Sequence, residues 1–533
     1  MQRPLGAQIS HMLKDRGVRV VFGIPGVHNQ EMYRGIEEAG LTHVLARHEQ
    51  GAGFMADGYA RATGQPGVAY VITGPELCNI MTPMGQAYSD SVPLLVLSSC
   101  LDDTDAMRGQ LHQMKDQTGA AATVCDWSRE ARTAPATFAL VDRALTEFAT
   151  CRKRPKHLSI PISALQTTVS QGWDSDAGAV EDVVQTAATP VCQAFMDRLA
   201  AARRPLFVFG GGAVAGTDAI RAFLDGRGIA SFCTAAGRGI VTDDPRAFGT
   251  MLARPDSAEV FARADLVVAV GTDLSEVDLW RDHAGHDCRT VIVNTDPELL
   301  ARKTAQDMAI AADAGTFFAQ VQALDRPSGP TGWTPMEVAR AKGRWRSQIA
   351  SERPGILPVI DTLRAALPAD TIVYSDMTQF AYAALDVWPA SSPGLWHHPS
   401  GFGTLGYAMP AAIGGKIGRP DVPVVAVAGD YGFQYTLQEL AVAVELELCL
   451  PVILWDNGKL GEIEDSMVAA QIAPNAVVQR NPDFVKLAEA YGAASAAPVS
   501  LAELTEAVTQ ALATDGPTLI HVRAGIASAP DSD

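Results

Sequence analysis

Short, nearly continuous apolar runs alternate with helix-length segments along the whole chain. The runs that we predict to be strands are VRVVFG, THVLAR, GVAYVIT, PLLVLSS, PLFVFGG, DLVVAVGT, TVIVNTD, TIVYSD, PVVAVAGD, LPVILW and PTLIHVR. Apolar strands without polar alternation, separated by helices, are typical of parallel sheets covered on both faces. The pattern therefore predicts an α/β protein built from doubly wound parallel sheets.

Two segments interrupt this pattern. Residues 171–190 are acidic and poor in strand residues, and residues 325–335 are rich in glycine and proline. Breaks of this composition favour linkers, and a chain of 533 residues is too long for a single core. We therefore predict three α/β domains, at about 1–170, 190–325 and 350–530.

Composition and charge disfavour several classes of protein. A formal charge of −18 argues against a nucleic-acid partner, because phosphate binding needs clustered cations. No apolar run approaches the ~18–20 residues of a membrane span, and the start, MQRPLGAQISHMLKDRG, predicts an amphipathic helix rather than a signal peptide. The eight scattered cysteines form no CxxC pair, which disfavours zinc and disulfides. We expect a cytoplasmic enzyme with a disordered tail, SAPDSD.

One carboxylate stands in an unusual place, where the apolar strand VVAVAG runs into GDYG. Asp430 could simply cap the helix that follows. A second apolar strand, however, ends at Asp456 and Asn457, and Asn457 lies 27 residues after Asp430. A single strand–helix–strand crossover makes such strand ends neighbours. Carboxylate, amide and carbonyl oxygens are ligands that Mg²⁺ accepts, and a helix N-terminus favours a phosphate. The spacing predicts a magnesium–diphosphate site.

Four motifs, in the same order as in the family, resemble the thiamine-diphosphate-dependent superfamily of acetolactate synthases and pyruvate decarboxylases. They are FGIPGVHNQEMY (22–33), RHEQGAGFMADGYARATGQPGV (47–68), GFGTLGYAMPAAIGGKIG (401–418) and GDYGFQYT…WDNGKLG (429–461). Together they extend over essentially the whole chain. The resemblance implies an N-terminal pyrimidine-binding domain, a central domain and a C-terminal diphosphate-binding domain.

The resemblance also implies roles for the residues at matching positions. Asp430, Asn457 and the Lys459 carbonyl match the Mg²⁺ ligands, and Asp456 stands where the family motif has its first asparagine. Glu49 matches the catalytic glutamate that shares a proton with N1′ of the aminopyrimidine, although locally it could instead pair with Arg47 or cap a helix. The other residues implied to contact the cofactor are Gly26, Asn79, Gly403, Leu405, Gly429 and Tyr431, of which Leu405 matches the bulky residue that holds the cofactor bent.

Three further points follow from the resemblance. The family motif GPGATN reads GPELCN here, which places Glu76 beside the ring end of the cofactor. Family architecture places the N-terminal domain of one chain against the C-terminal domain of another, which implies a homodimer or homotetramer. The central loop VFGGGAVAG imitates a dinucleotide-binding turn, and related synthases hold FAD in this domain, so FAD is disfavoured but left open.

Three functions remain open. They are decarboxylation of a 2-oxo acid, carboligation of the acetolactate synthase type, and a binding or regulatory role in a catalytically inactive (silent) protein that kept only the fold. The retained Glu49, Asp430 and Asn457 argue against the silent protein. His28 lies where related lyases and decarboxylases place a histidine, and His112 lies where synthases usually have glutamine. We therefore favour decarboxylation, with His28 in a catalytic role and His112 facing the substrate.

Acidic residues narrow the range of 2-oxo acids that we expect as substrates. Glu462, Glu464 and Asp465 follow residues 456–459, which we call the metal loop. With Glu76 they could surround a cationic substrate tail, although a solvated acidic helix face is the alternative. The segments GIPGVHNQEMYRG and LGEIEDSMVAAQI resemble the branch of the superfamily that acts on 5-guanidino-2-oxopentanoate (2-ketoarginine). The resemblance implies conversion of this 2-oxo acid to 4-guanidinobutanal and CO₂.

Overall fold

The computed structural model describes residues 1–103, 108–175, 184–302, 304, 307–324 and 332–528. The predicted linkers fall partly outside these residues, and the predicted disordered tail falls outside them except for Ser528. The described chain forms three parallel sheets with flanking helices, which confirms the predicted α/β fold. Every predicted apolar run contains an observed strand.

The chain divides into two compact units. The first contains Met1–Asp182, Thr371–Thr378 and His398–Arg523, and the second contains Val183–Asp370, Gln379–His397 and Ala524–Asp533. None of the described helices is both long enough and apolar enough to cross a membrane.

The first sheet lies in the first unit and has six parallel strands. Their spatial order is Thr42–Leu45, Val20–Gly23, Gly67–Val71, Leu94–Cys100, Lys156–Pro161 and Trp127–Glu130. The accompanying helices are Leu5–Asp15, Gln30–Ala39, Glu49–Thr63, Pro75–Asp90, Gln117–Ala122, Ala134–Thr150 and Ile162–Gln166. A small antiparallel pair consists of Gln2–Pro4 and Thr168–Ser170. The central strands are buried throughout because helices cover both faces.

The diphosphate-binding sheet predicted for the C-terminal part of the chain also lies in the first unit. Its strands within this unit are, in spatial order, Ile372–Ser375, Val424–Gly429, Leu450–Asp456, Pro517–Arg523 and Ala494–Ala496, all parallel. Its helices are Ala408–Gly418, Asp430–Phe433, Leu440–Glu445, Gly461–Ala469, Phe484–Tyr491 and Leu501–Ala511, with a 3₁₀ turn at Leu437–Glu439.

The second unit contains the central sheet, again with six parallel strands. Their order is Ala247–Gly249, Ala230–Cys233, Pro205–Phe209, Leu266–Val270, Arg289–Asn294 and Met308–Ala311. The other elements of this unit are the helices Thr189–Ala201, Thr217–Leu224, Ser257–Ala262, Glu276–Leu279, Pro297–Ala301, Ala314–Ala323, Pro335–Glu352, Ile356–Ala366 and Gln379–Val387, the strand Trp396–His397, and the 3₁₀ turns Gly211–Gly216, Met251–Ala253 and Ile526–Ser528.

The glycine-rich loop of the central sheet packs against its own domain. The strand order reverses between Pro205–Phe209 and Leu266–Val270, which is where ligands usually bind in such sheets. At this position Gly211–Gly216 forms a 3₁₀ turn, and the Gly212 N–H donates to the Gly271 carbonyl at 2.9 Å.

Within the first unit, two helices from distant parts of the chain pack closely. Glu49–Thr63 crosses Ala408–Gly418 so tightly that a Cβ atom on Gly58 would overlap the Ala411 carbonyl, and one on Gly414 would overlap the Met55 carbonyl. The two sheets of this unit are thereby joined, and the Glu49 end of the helix approaches the C-terminal part of the chain.

Candidate active site

The strand ends that carry Asp430 and Asp456 are neighbours, as predicted. Val424–Gly429 and Leu450–Asp456 pair in parallel, with Gly429 opposite Trp455. Asp430 is the first residue of a four-residue helix and makes no side-chain cap there. Its carboxylate instead accepts hydrogen bonds from Asn481 Nδ2 at 2.6 Å and Gln479 Nε2 at 3.1 Å. The alternative that Asp430 serves only as a helix cap therefore does not describe this site.

Asp456 stands where the family motif has its first asparagine, and three donors satisfy it. They are His521 Nε2 at 2.8 Å, Asn481 Nδ2 at 2.8 Å and the Gly458 N–H at 3.0 Å. Burial raises the pKa of Asp430 above its usual range, although the two amides oppose this shift. Burial acts on Asp456 as well, but the hydrogen bond and charge of His521 leave the pKa of Asp456 lowered.

The side chains at this sheet edge suit a hard divalent cation. Asp430 and Asn457 follow adjacent strands, and Asn457 Oδ1 accepts from the Lys459 N–H at 3.2 Å, so the loop turns sharply here. In the described parts of the chain no three His, Cys, Asp or Glu side chains converge as a metal cluster. A cation at this edge would therefore use amide and carbonyl oxygens together with phosphate oxygens, as Mg²⁺ commonly does.

A buried carboxylate that the sequence analysis missed holds the loop of Gly403 and Leu405. Asp376 follows the strand Ile372–Ser375 and accepts from the Gly406 N–H at 2.8 Å. Gly403 has a left-handed backbone with φ of +65°, and Leu405 is half-buried. Burial raises the pKa of Asp376 to about 6. Asp376 could have been recognised in the sequence by its position, because TIVYSD, like VVAVAGD, is an apolar strand that ends in a carboxylate.

Glu49 is the buried first residue of the helix Glu49–Thr63. Its Oε2 accepts from Asn79 Nδ2 at 2.8 Å, so the structure brings these two predicted residues together. Other residues take the two alternative roles considered for Glu49. His48 caps the helix by accepting from the Gln50 N–H, and the Arg47 guanidinium pairs with Glu445.

Glu439 is a second carboxylate that the sequence analysis missed. It is fully buried and accepts from the Arg47 N–H at 3.0 and 3.2 Å, just before the Glu49 helix begins. Burial raises the pKa of Glu439 to about 7. The contact ties the start of the Glu49 helix to the segment after Asp430, and the sequence signal was only a lone carboxylate among apolar residues in TLQELAVAV.

Glu76, predicted to lie near the substrate, folds back onto the preceding strand. It is buried, and its Oε2 accepts from the Ile72 N–H at 2.6 Å. Burial raises the pKa of Glu76 to about 7, and the charge of Glu49 adds to the shift. Gly26 lies against the Ile72 side chain, and its N–H donates to Asn29 Oδ1 at 2.8 Å.

His28 and His112 come from separate motifs and meet in the structure. Their ring centroids lie 5.0 Å apart in an edge-to-face arrangement. The Nδ1 atoms of both rings are buried and have no hydrogen-bond partner among the described residues. Burial lowers the pKa of His28, and the neighbouring His112 lowers it further.

Three of the four predicted acidic residues, Glu462, Glu464 and Asp465, share one short helix after the metal loop, Gly461–Ala469. Glu464 accepts a charged hydrogen bond from Lys459 Nζ, Asp465 is exposed, and Glu462 is half-exposed. The half-buried Tyr431, next to Asp430, packs its ring against Tyr435 with 5.6 Å between centroids.

Comparison with known proteins agrees with this arrangement. The N-terminal and C-terminal TPP binding domains of thiamine pyrophosphate enzymes match residues 3–120 and 376–522, and their central domain matches residues 192–321. The probable 2-ketoarginine decarboxylase AruI of Pseudomonas aeruginosa is 40% identical over 523 residues, 97% of this chain and 93% of the relative.

Acetolactate synthases are similar over comparable lengths. Isozyme 3 large subunit of Escherichia coli K12 is 30% identical over 515 residues, 92% of this chain and 89% of its own. The acetolactate synthase of Mycobacterium bovis is 29% identical over 560 residues, 98% of this chain and 89% of its own. With three domain matches in family order and relatives aligned along nearly its full length, this chain belongs to the thiamine pyrophosphate enzyme family.

Proposed function

We propose that this protein is a thiamine-diphosphate- and Mg²⁺-dependent decarboxylase that converts 5-guanidino-2-oxopentanoate to 4-guanidinobutanal and CO₂. The observation that carries the proposal is the 40% identity, across 97% of this chain, with a protein named as a probable 2-ketoarginine decarboxylase. An acetolactate synthase-like carboligase is the alternative, favoured by the 30% identity with the isozyme 3 subunit. The Glu49–Asn79 contact argues against a silent family member.

Asp430, Asn457 and the Lys459 carbonyl would hold Mg²⁺, and the metal would in turn hold the diphosphate. The residues proposed to contact the cofactor are Gly26, Glu49, Asn79, Gly403, Leu405, Gly429, Asp430, Tyr431 and Asn457. When bound, thiamine diphosphate supplies the electron sink for the carbanion left by loss of CO₂, which no side chain can stabilise. Glu49 would hold a proton at N1′ of the aminopyrimidine, and Asn79 fixes the orientation of the Glu49 carboxylate.

The product requires a proton at the carbon that loses CO₂ before the aldehyde can leave. His28 and His112 are the proposed donors, because they lie side by side with buried Nδ1 atoms that have no protein partner among the described residues. Burial and His112 lower the pKa of His28 and favour its neutral form near neutral pH, so the ring must take up a proton before it can donate one.

Carboxylates would recognise the guanidinium tail of the substrate. The candidates are Glu76, Glu462, Glu464 and Asp465. Hydrogen bonds between charged groups contribute about 1.5–3 kcal/mol each, so one bidentate contact supplies roughly 10²-fold discrimination against an uncharged tail. Because Glu464 already binds Lys459 and Glu76 binds the Ile72 N–H, a guanidinium would compete with groups of the chain itself at these two positions.

The active unit is proposed to be a homodimer or homotetramer with sites between subunits. Exposed apolar side chains beside the candidate site support this proposal, since a partner would cover them. Val27 and Leu111, each 61% exposed, adjoin the two histidines, and Ile463 and Val478, 53% and 73% exposed, follow the metal loop. We also propose that the protein is located in the cytoplasm.

The first experiment tests the cofactors. Protein stripped with a chelator should regain decarboxylation only when both thiamine diphosphate and Mg²⁺ are added. Asp430→Ala should lose cofactor retention, because one of two side-chain ligands is gone. Full activity of the stripped protein, or of this variant, would contradict the proposal.

The second experiment tests the reaction. We expect kcat/KM for 2-ketoarginine to exceed the values for pyruvate and 2-oxoisovalerate by roughly 10²-fold, with aldehyde as the product. Substitution of Glu76, Glu462 and Glu464 by glutamine and of Asp465 by asparagine, one at a time, should locate the guanidinium contact. If pyruvate is preferred and acetolactate accumulates, the carboligase replaces the decarboxylase.

A further inference from the structure

One amide group bridges the two carboxylates of the candidate metal site. Asn481 Nδ2 donates to Asp430 Oδ2 at 2.6 Å and to Asp456 Oδ1 at 2.8 Å. Two carboxylates that accept from one NH₂ group lie close enough to repel each other when both are ionised. The amide hydrogens lie between them and offset that repulsion.

The orientation of this amide is fixed by its neighbours. Gln434 Nε2 donates to Asn481 Oδ1 at 3.3 Å, which leaves the NH₂ group facing the carboxylates. The same Gln434 nitrogen donates to the Asp430 carbonyl at 2.9 Å, so Gln434 is itself anchored on the loop that it supports. With its oxygen occupied, Asn481 has only donors to offer to Asp430 and Asp456.

The backbone on the N-terminal side of Asn481 is tied to the metal loop. We call residues 477–481 the strap. Lys459 and Val478 form an isolated antiparallel bridge, the Leu460 N–H donates to the Val477 carbonyl at 2.8 Å, and the Gln479 N–H donates to the Gly458 carbonyl at 3.3 Å. The strap therefore moves together with the loop that carries Asn457 and Lys459.

We infer that Asn481 is a positioning residue that raises the affinity of this protein for Mg²⁺, an inference that rests on the proposed cofactor site. It keeps the carboxylate of Asp430 in one orientation and offsets the charge of Asp456, which stands where the family motif has a neutral asparagine. Hydrogen-bond partners of metal ligands typically change metal affinity by about 10–100-fold. The need for Asn481 follows from the second carboxylate, so the two residues should be coupled.

Metal binding, rather than turnover, provides the test. Metal-free protein would be saturated with thiamine diphosphate, and binding of Mg²⁺ would be measured by calorimetry and that of Mn²⁺ by the spin-resonance signal of the free ion. We expect Asn481→Ala to weaken binding of both ions by about 10–100-fold. The matched control is Asn475→Ala, an exposed residue just before the strap whose amide donates only to the Ala473 carbonyl among the described residues, and it should bind like wild type.

A double variant tests the coupling. Asp456→Asn removes one of the two charges, so Asn481→Ala should weaken metal binding by a much smaller factor in the Asp456→Asn protein than in the wild-type protein. If Asn481→Ala fails to fold, as judged by its thermal unfolding, Asn481→Ser is the smaller change and should show the same weakening.

Two results would overturn the inference. One is wild-type affinity in the folded Asn481 variants, and the other is an equal fold-loss on Asn481→Ala in the wild-type and Asp456→Asn proteins. If wild type itself binds neither ion in the presence of thiamine diphosphate, the proposed function fails instead.

Discussion

At the scale of single residues, motifs predict the residues proposed to act in the site, and they do not predict most of the partners that the structure gives these residues. Glu49 and Asp430 stand out in the motifs because the proposed chemistry needs a carboxylate at those positions. Their environments depend on residues far away in the chain, such as Asn481 at Asp430 and Glu439 beside the Glu49 helix. Such contacts arise only when the fold brings distant segments together, so local sequence gives no sign of them.

The role of Glu49 can be separated from cofactor binding by a substitution that keeps its shape. Glu49→Gln still accepts from Asn79 through its amide oxygen but cannot hold and release a proton at N1′. We expect the rate of decarboxylation to fall by about 10²–10⁴-fold, the usual contribution of a general acid–base group. Affinity for thiamine diphosphate, measured by calorimetry in the presence of Mg²⁺, should change far less. An equal loss in rate and affinity would assign Glu49 to binding instead.

The buried Glu76 should make stability depend on pH. Its pKa is raised from 4.5 to about 7 in the folded protein, so the folded state binds the proton more tightly than the unfolded state does. The stabilisation from this group is complete below the unfolded pKa and is lost as the pH rises through about 7. Glu76→Gln stays neutral throughout and should keep its acceptor for the Ile72 N–H.

The measurement is the thermal unfolding midpoint of both proteins between pH 5 and 8. At the acidic end the two midpoints should be similar, and at the alkaline end the Glu76→Gln variant should unfold at the higher temperature. A constant difference across this range would show that Glu76 does not titrate with a raised pKa.

At the scale of elements, the longer apolar strands are predicted, whereas short strands such as Ala230–Cys233 and buried polar strands are not. Lys156–Pro161 lies inside the first sheet and is buried throughout, but KHLSIP carries a lysine, a histidine and a serine and was not predicted. Lys156 is compensated by Asp126, Glu147 and the ring of Phe148. His157 lies between two serines, Ser98 and Ser128, at 2.8 and 2.7 Å, and burial lowers its pKa to about 3.

The close helix crossing in the first unit predicts that adding one methyl group at Gly58 lowers the stability of the protein. A Cβ atom on Gly58 would overlap the Ala411 backbone, which cannot move aside as a flexible side chain can. Gly58→Ala should therefore destabilise the protein by about 1–3 kcal/mol, measured as a lower midpoint of thermal unfolding.

Gly343→Ala is the matched control for this substitution. Gly343 lies inside the exposed part of the helix Pro335–Glu352, and a Cβ atom there meets nothing within 4 Å. Alanine should stabilise that helix by up to about 1 kcal/mol. Equal effects of the two substitutions would show that helix propensity, and not the close crossing, decides the outcome at Gly58.

At the scale of the whole molecule, the sheets were predictable but their grouping was not. The division at about 1–170, 190–325 and 350–530 stays a prediction, and the structure forms two compact units of which one contains both the first sheet and the strands after residue 371. The contacts that join them, such as Tyr407 to Asp57 at 2.8 Å, connect residues about 350 positions apart. No local pattern of apolar and polar residues indicates which domains will pack together.

The proposed sharing of sites between subunits can be tested by mixing two inactive proteins. Suppose that the Glu49 region of one chain completes the Asp430 region of its partner. In a heterodimer of Glu49→Gln and Asp430→Ala chains, one of the two sites then receives both substitutions and the other receives neither. Random assortment makes half of the dimers heterodimers, so mixing after dissociation should restore about one quarter of wild-type activity. If each site lies within one chain, every chain carries a defect and the mixture stays inactive. The control is the same dissociation and mixing of either variant alone, which should give no activity under both arrangements.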